Sequence, residues 1–173
     1  MIKHHIHFIK MGGTIEFIDP DYDAINKKLM KLDSTIDSYL ANLIQPHFGF
    51  SSESIVEKDS RKITTEDREE LAKAITSTQH KDIIVTHGTF TMTKTAQYLE
   101  DYFSGTNKLQ DKKIILIGSM IPITGFSISD AGFNLGFAIA SFIGVKPGIY
   151  ISMNGGIFEP GDVTKNETRF RFE

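Results

Sequence analysis

The sequence predicts an α/β fold of three layers: a mostly parallel sheet with helices on both faces, and a hairpin-like extension at the C-terminal end. Two observations carry this. Short runs rich in Ile, Val and Leu, at 82–86 and 113–119, recur between longer segments of helical period, and strands that alternate with helices build a parallel sheet. The run at 113–119, KIILIGS, is also apolar on successive residues, as expected of a strand buried on both faces.

Each element has its own reason. IHFIKMGG (6–13) reads as a first strand stopped by a glycine turn. DPDYDA (19–24) has loop chemistry. Leu29, Leu32, Ile36, Tyr39, Leu40, Leu43 and Ile44 fall at helical spacing, and Gln45-Pro46 ends that helix. Ser54 to Glu57 is a short strand, followed by the loop DSRKI. Thr64 reads as an N-cap, with Asp67 three residues on, for a helix carrying Leu71, Ala72 and Ile75. A strand at 82–86 and a helix at 91–104 precede the polar connector GTNKLQDKK. Beyond the strand at 113–119, a helix over 130–143 leads to a strand at 148–154. The tail GGIFEPGDVTKNETRFRFE, with a Pro-Gly turn and alternating Arg and Phe, reads as a hairpin-like end at a sheet edge.

The 173 residues suit one domain, with 40% apolar and 24% charged residues. The thirteen phenylalanines read as core and interface material. A net charge of −3 gives no electrostatic reason for a nucleic-acid or anionic-membrane partner. Without cysteine there is no disulfide framework, thiolate zinc site or thiol nucleophile. The N-terminal residues show no signal-peptide core and no segment approaches a membrane span, so the expected location is cytoplasmic.

In parallel α/β folds ligands bind beyond the carboxyl ends of the strands. That rule selects MGGTI, DSRKI, THGTF and GSMIP. In GGTI, glycines let the backbone approach a ligand, or simply make a turn with a solvated Thr14. In THGT, His87 is either a base or a structural hydrogen-bonder, and Thr89 either a reactive hydroxyl or a helix N-cap. The HHIH run puts His5 and His7 on one strand face and His4 on the other; an exposed strand face is preferred to a metal site. GGTI is too short for a phosphate cradle and no GK[ST] follows it, which argues against a nucleotide-binding module.

Together, MGGTI, DSRKIT, HGTFTM, GSMIP with SDAGFNL, and DVTKN stand in the order of the motifs of the L-asparaginase family, which they resemble. These are threonine-dependent amidohydrolases, among them the glutaminase-asparaginases. The resemblance spans residues 1–173 but only the family's N-terminal domain. It implies that the C-terminal domain, which completes a neighbouring subunit's active site, is absent.

The resemblance implies roles. Thr14 is the nucleophile and forms an acyl-enzyme that water releases. Thr89 and Lys165 form the proton-transfer pair, the lysine working as a base once desolvated. Tyr22 is the candidate for the family's loop tyrosine. Asp59 and Ser60 belong to the loop that holds a substrate carboxylate, with Gly88 and Phe90 lining the site. Backbone groups near Gly13 and Ser119 frame the amide and its oxyanion. No cofactor and no metal are implied.

The chain departs from the pattern at three places. Phe90 stands where the family has an aspartate that binds the substrate's α-ammonium, Met11 replaces a Thr, and Arg61 replaces a small or polar residue. These changes remove recognition of an α-amino acid and keep the nucleophile. The expected function is hydrolysis of a small carboxylate-bearing amide, L-asparagine or a relative lacking the α-amino group, to acid and ammonia. The alternative is a weak or inactive binding protein on the same scaffold. Apolar surface left by a missing second domain predicts a homo-oligomer.

Overall fold

The computed structural model describes residues 4–16, 35–109, 111–123 and 128–173. Six strands form one sheet: β1 (His5–Gly12), β2 (Gly49–Lys58), β3 (Asp82–Thr86), β4 (Lys113–Ile117), β5 (Gly148–Met153) and β6 (Gly156–Phe158). Their order is β2-β1-β3-β4-β5-β6, with the first five parallel and β6 antiparallel to β5. The α/β class and the mostly parallel sheet are as the sequence predicts.

Alternation along the strands separates two cores. Ile9, Met11, Ile83, Val85, Ile114, Leu116, Ile149 and Ile151 face one side, against α2 (Thr65–Ser77) and α3 (Met92–Phe103). Ile6, Phe8, Ile84, Ile115 and Ile117 face the other, against α1 (Thr35–Ser38) and α4 (Ala131–Ser141). Helices therefore cover both faces. The Thr64 cap is present as a reciprocal box: Thr64 Oγ1 accepts from Asp67 N–H, and the Asp67 carboxylate accepts from Thr64 N–H at 2.8 Å.

Three local readings change. β2 runs ten residues rather than the short stretch 54–57, because its polar Ser-Ser-Glu-Ser segment lies at the sheet edge, where half of its side chains meet water. Of the expected helix from Leu29 to Ile44, residues 29–34 lie outside the described residues. The rest is four α-helical residues and a π-turn over Tyr39–Ile44, closed by Gln45 in the left-handed region at φ 48°. The tail is two pieces: β6 on the sheet edge, and a separate antiparallel pair, β7 (Lys165–Asn166) with β8 (Arg171–Phe172).

The HHIH reading also needs correction. His5 is exposed, but His7 is only 8% exposed. Cross-strand neighbours bring it partners the local sequence lacks: Ser51 Oγ at 2.8 Å and Glu53 Oε1 at 3.0 Å. His4 meets the Asp82 carboxylate at 2.7 Å on the other face.

Strand order fixes where a ligand fits. The chain steps outward from β1 to β2, then back past β1 to β3 and onward. The loops leaving β1 and β3 thus diverge, and the crevice between them is the switch point at which open parallel sheets bind ligands. Gly12-Gly13-Thr14 leaves β1, and His87-Gly88-Thr89 leaves β3.

Candidate active site

Glycines let the loops meet. Gly13 sits at φ +85°, and a Cβ there would lie 2.3 Å from Gly88 N. A Cβ on Gly88 would lie 2.6 Å from Ser60 Oγ. No side chain fits either place, so the turns after β1, β2 and β3 touch through backbone and one serine. Gly13 N–H also donates to Lys58 O at 3.2 Å, tying the first turn to the end of β2. Thr14, the next residue, is half-buried beside this junction.

Thr89 lies on the same junction. It was open to an N-cap reading, but α3 starts at Met92, and the Thr89 hydroxyl instead accepts from Lys165 Nζ at 2.9 Å. Lys165 is half-buried. Burial draws its pKa below the usual lysine value, helped by the nearby Arg61 charge and opposed by Glu167 and Asp59. Lys165 Nζ also lies 3.6 Å from the centroid of the Phe90 ring, and Arg61 Cζ lies 4.9 Å from it. Phe90 is 46% exposed at this mouth.

Asp59 holds Arg61 in that pose. Its carboxylate accepts from Arg61 Nε at 2.9 Å, Nη2 at 2.7 Å and the backbone N–H at 2.8 Å. The Arg61 hydrogen bonds keep the Asp59 pKa below the usual carboxylate range. Asp59 therefore acts on the site through Arg61. Ser60, 1% exposed, faces Gly88, and its hydroxyl has no hydrogen-bond partner among the described residues. Ser119, also 1% exposed, is in the same condition after β4. Buried hydroxyls normally have a partner, so both are available to a ligand that reaches them. Tyr22 lies outside the described residues.

His87 is fully buried and does not face the crevice as a base. Its Nδ1–H donates to Gly88 O at 2.8 Å, and its Nε2 lies 2.8 Å from Thr95 Oγ1. Thr95 Oγ1 in turn accepts from Arg68 Nε at 3.0 Å, leaving its own proton for His87 Nε2. This arrangement holds the imidazole neutral, and burial lowers its pKa to about 4. The structural alternative for His87 is the one observed. Arg68 also donates to Ile63 O and Thr64 O, so one relay braces both the Ser60 loop and the Gly88 loop.

Several supporting residues were not singled out from the sequence. Thr91 Oγ1 donates to Ser60 O at 2.7 Å, pinning the β2 loop to the start of α3. The Asp130 carboxylate accepts from Met120 N–H and Ile121 N–H, shaping the loop that carries Ser119. Asn134 Nδ2 donates to Gly118 O at 3.0 Å, and its Oδ1 accepts from Asn154 N–H at 3.0 Å. Asn154 Oδ1 then accepts from Phe172 N–H at 2.9 Å. SDAGFNL was legible as a motif, but only the fold shows it tying β4, β5 and the terminal hairpin together.

Comparison with known proteins agrees with this fold. The family model "Asparaginase, N-terminal" matches residues 5–171. A probable periplasmic L-asparaginase of Haemophilus influenzae is 33% identical over 172 residues, covering 95% of this chain and 47% of the relative. A glutaminase-asparaginase of Acinetobacter glutaminasificans is 34% identical over 118 residues, 66% of this chain and 33% of the relative. Among solved structures, a probable cytoplasmic L-asparaginase of Campylobacter jejuni superposes with TM-score 0.77 at 28% identity, over 99% of this chain and 53% of that one. L-asparaginase I of Vibrio cholerae, at 24% identity and TM-score 0.78 over 98% of this chain and 51% of that one, shares the fold. The chain thus spans about half the length or less of the proteins it matches. Among the described residues no helix is long and apolar enough to cross a membrane. The chain belongs to the asparaginase family, as a match to its N-terminal domain.

Proposed function

We propose that this chain is an asparaginase-type amidohydrolase that cleaves a small carboxylate-bearing amide, L-asparagine or a relative lacking the α-amino group, to acid and ammonia. The observation that supports this best is the Thr89–Lys165 hydrogen bond at the junction where Thr14 leaves β1. In this reading Thr14 Oγ attacks the amide carbon, and its proton passes through the Thr89 hydroxyl to neutral Lys165. The C–N bond breaks and the proton returns to the departing ammonia. Water then attacks the Thr14 ester, giving the acid and restoring the hydroxyl. Backbone N–H groups near Gly13, and Ser119, stabilise the oxyanion. Ser60 and Arg61 hold the substrate carboxylate. Tyr22 belongs to the proposal as an assisting residue of the loop after Thr14.

The test is ammonia release from asparagine, glutamine, succinamate and simple aliphatic amides, each beside Thr14→Ala. Thr14-dependent release from any of them supports the reading; none above the variant ends it. A second reading, a binding protein on this scaffold, draws on the Phe90 ring lying against Lys165. Asparagine hydrolysis gained by Phe90→Asp would decide against it. Association into a homo-oligomer belongs to the same proposal. Ile128, Phe133 and Ile143, exposed around α4, supply apolar surface for it; a monomeric mass by light scattering would contradict it.

A further inference from the structure

Arg61 and Lys165 both lie against the Phe90 ring, at 4.9 and 3.6 Å from its centroid. Contacts of this kind are attractive because the ring face is electron-rich. They draw two basic groups to one spot without adding a negative charge there. The Asp59 carboxylate has both oxygens engaged by the Arg61 guanidinium. Glu167, the other acidic group that acts on Lys165, is exposed on the terminal hairpin. The Arg61 side chain is itself 61% exposed, so it can meet an incoming anion while Asp59 fixes its pose.

We propose that the Arg61–Phe90–Lys165 stack makes this site selective for dicarboxylic monoamides without an amino group, of the succinamate type, over α-amino acid amides. This deepens the amidohydrolase reading and rests on it. A carboxylate approaching the ring edge meets the positive guanidinium end-on, because Asp59 holds its Nε–Nη2 edge. An ammonium in the same place meets two basic groups and the Phe90 ring, which can accept no conventional hydrogen bond. Neutralising Lys165 for catalysis leaves Arg61 in place, so the preference persists in the reactive form. Phe90 is then a specificity-determining residue, and Asp59 a positioning residue that acts through Arg61.

The experiment compares succinamate with L-asparagine as substrates and, separately, succinate with L-aspartate as ligands by calorimetry on the full chain. Phe90→Asp and Arg61→Gln are run beside it, with circular dichroism to confirm folding. The expected result is a kcat/KM preference of at least about tenfold for succinamate, the scale of one lost charge interaction. Phe90→Asp, by placing a carboxylate at the ring position, narrows or reverses it, and Arg61→Gln raises the KM for succinamate. Equal or better turnover of asparagine overturns the proposed selectivity and leaves the hydrolase standing. If neither amide turns over, the ligand arm decides selectivity alone, and the wider amide panel decides the hydrolase reading. Succinate bound at least about tenfold tighter than aspartate supports it, and equal or absent binding overturns it.

Discussion

Lys165 donates to Thr89 at 2.9 Å although 76 residues separate them. Nothing local to either residue brings this about. Thr89 is placed by the end of β3, and Lys165 by a two-stranded hairpin whose Phe172 is 1% exposed in the core. Losing either partner should remove the proton relay and leave the fold. Lys165→Met and Thr89→Val are each expected to lower kcat by roughly 10²- to 10⁴-fold, the usual scale for a positioned acid or base. In the proposed mechanism the neutral amine is the working form, so the rate of the parent chain should rise with pH; burial already draws the Lys165 pKa below the ordinary lysine value. A pH–rate profile of Lys165→Met that keeps the same rise would refute the assignment.

The contact between the Gly88 loop and Ser60 gives a steric prediction. Gly88→Ala would put a Cβ 2.6 Å from Ser60 Oγ and 3.1 Å from Ser60 N. The serine rotor can swing, but Ser60 Cβ, 2.7 Å away, does not move with it, so the loops must separate. We expect a stability loss of about 1–3 kcal/mol, as for overpacking, with a larger proportional loss of turnover. Denaturant titration and ammonia release, measured on one preparation, check both. Unchanged turnover would mean that the apposition of these loops is not needed for the chemistry.

The layered sheet was legible because its signals are local. Ile-rich runs mark β3 and β4, and the Thr64–Asp67 box marks the start of α2. The edge strand β2 was underread because its polar residues face water and break the apolar run. His7 was misread because its partners Ser51 and Glu53 come from a neighbouring strand. Within the site, Thr14, Thr89 and Lys165 stood out through their motifs. That Thr89 meets Lys165 depends on the hairpin position, which no window of sequence reports. Thr95, Arg68 and Asn154 carry no motif. Their importance lies in hydrogen bonds between distant segments.

Asn154 offers a test of that long-range support. It sits in the left-handed region at φ 54° and accepts from Phe172 N–H. Asn154→Gly keeps the backbone conformation accessible and deletes only the acceptor. The expected cost is about 1 kcal/mol for the lost hydrogen bond, together with faster amide exchange at Phe172. Because β8 pairs with the strand that carries Lys165, kcat should fall more than KM changes. Unaltered exchange at Phe172 would show that packing alone holds the hairpin.

His87 links burial to stability against acid. Its folded pKa of about 4 lies below the ordinary 6.5 because the ring is fully buried, with the Arg68 charge adding to the effect and the hydrogen bond to Gly88 O opposing it. A depressed folded value means that the unfolded chain binds the extra proton first. The stabilisation is therefore complete above about pH 6.5, declines as the pH falls through the interval, and levels off near pH 4. Full loss is on the order of 3 kcal/mol, at about 1.4 kcal/mol per pH unit. His80 shifts in the same direction, through burial first and then its neighbours His5, His7 and Lys112. For that reason His87→Gln must be compared with His80→Gln. Urea titrations from pH 7 to pH 4 should show the parent losing stability steadily, His87→Gln starting less stable but varying least, and His80→Gln close to the parent. If His87→Gln followed the parent slope across that range, the buried imidazole would not be the group that takes up the proton.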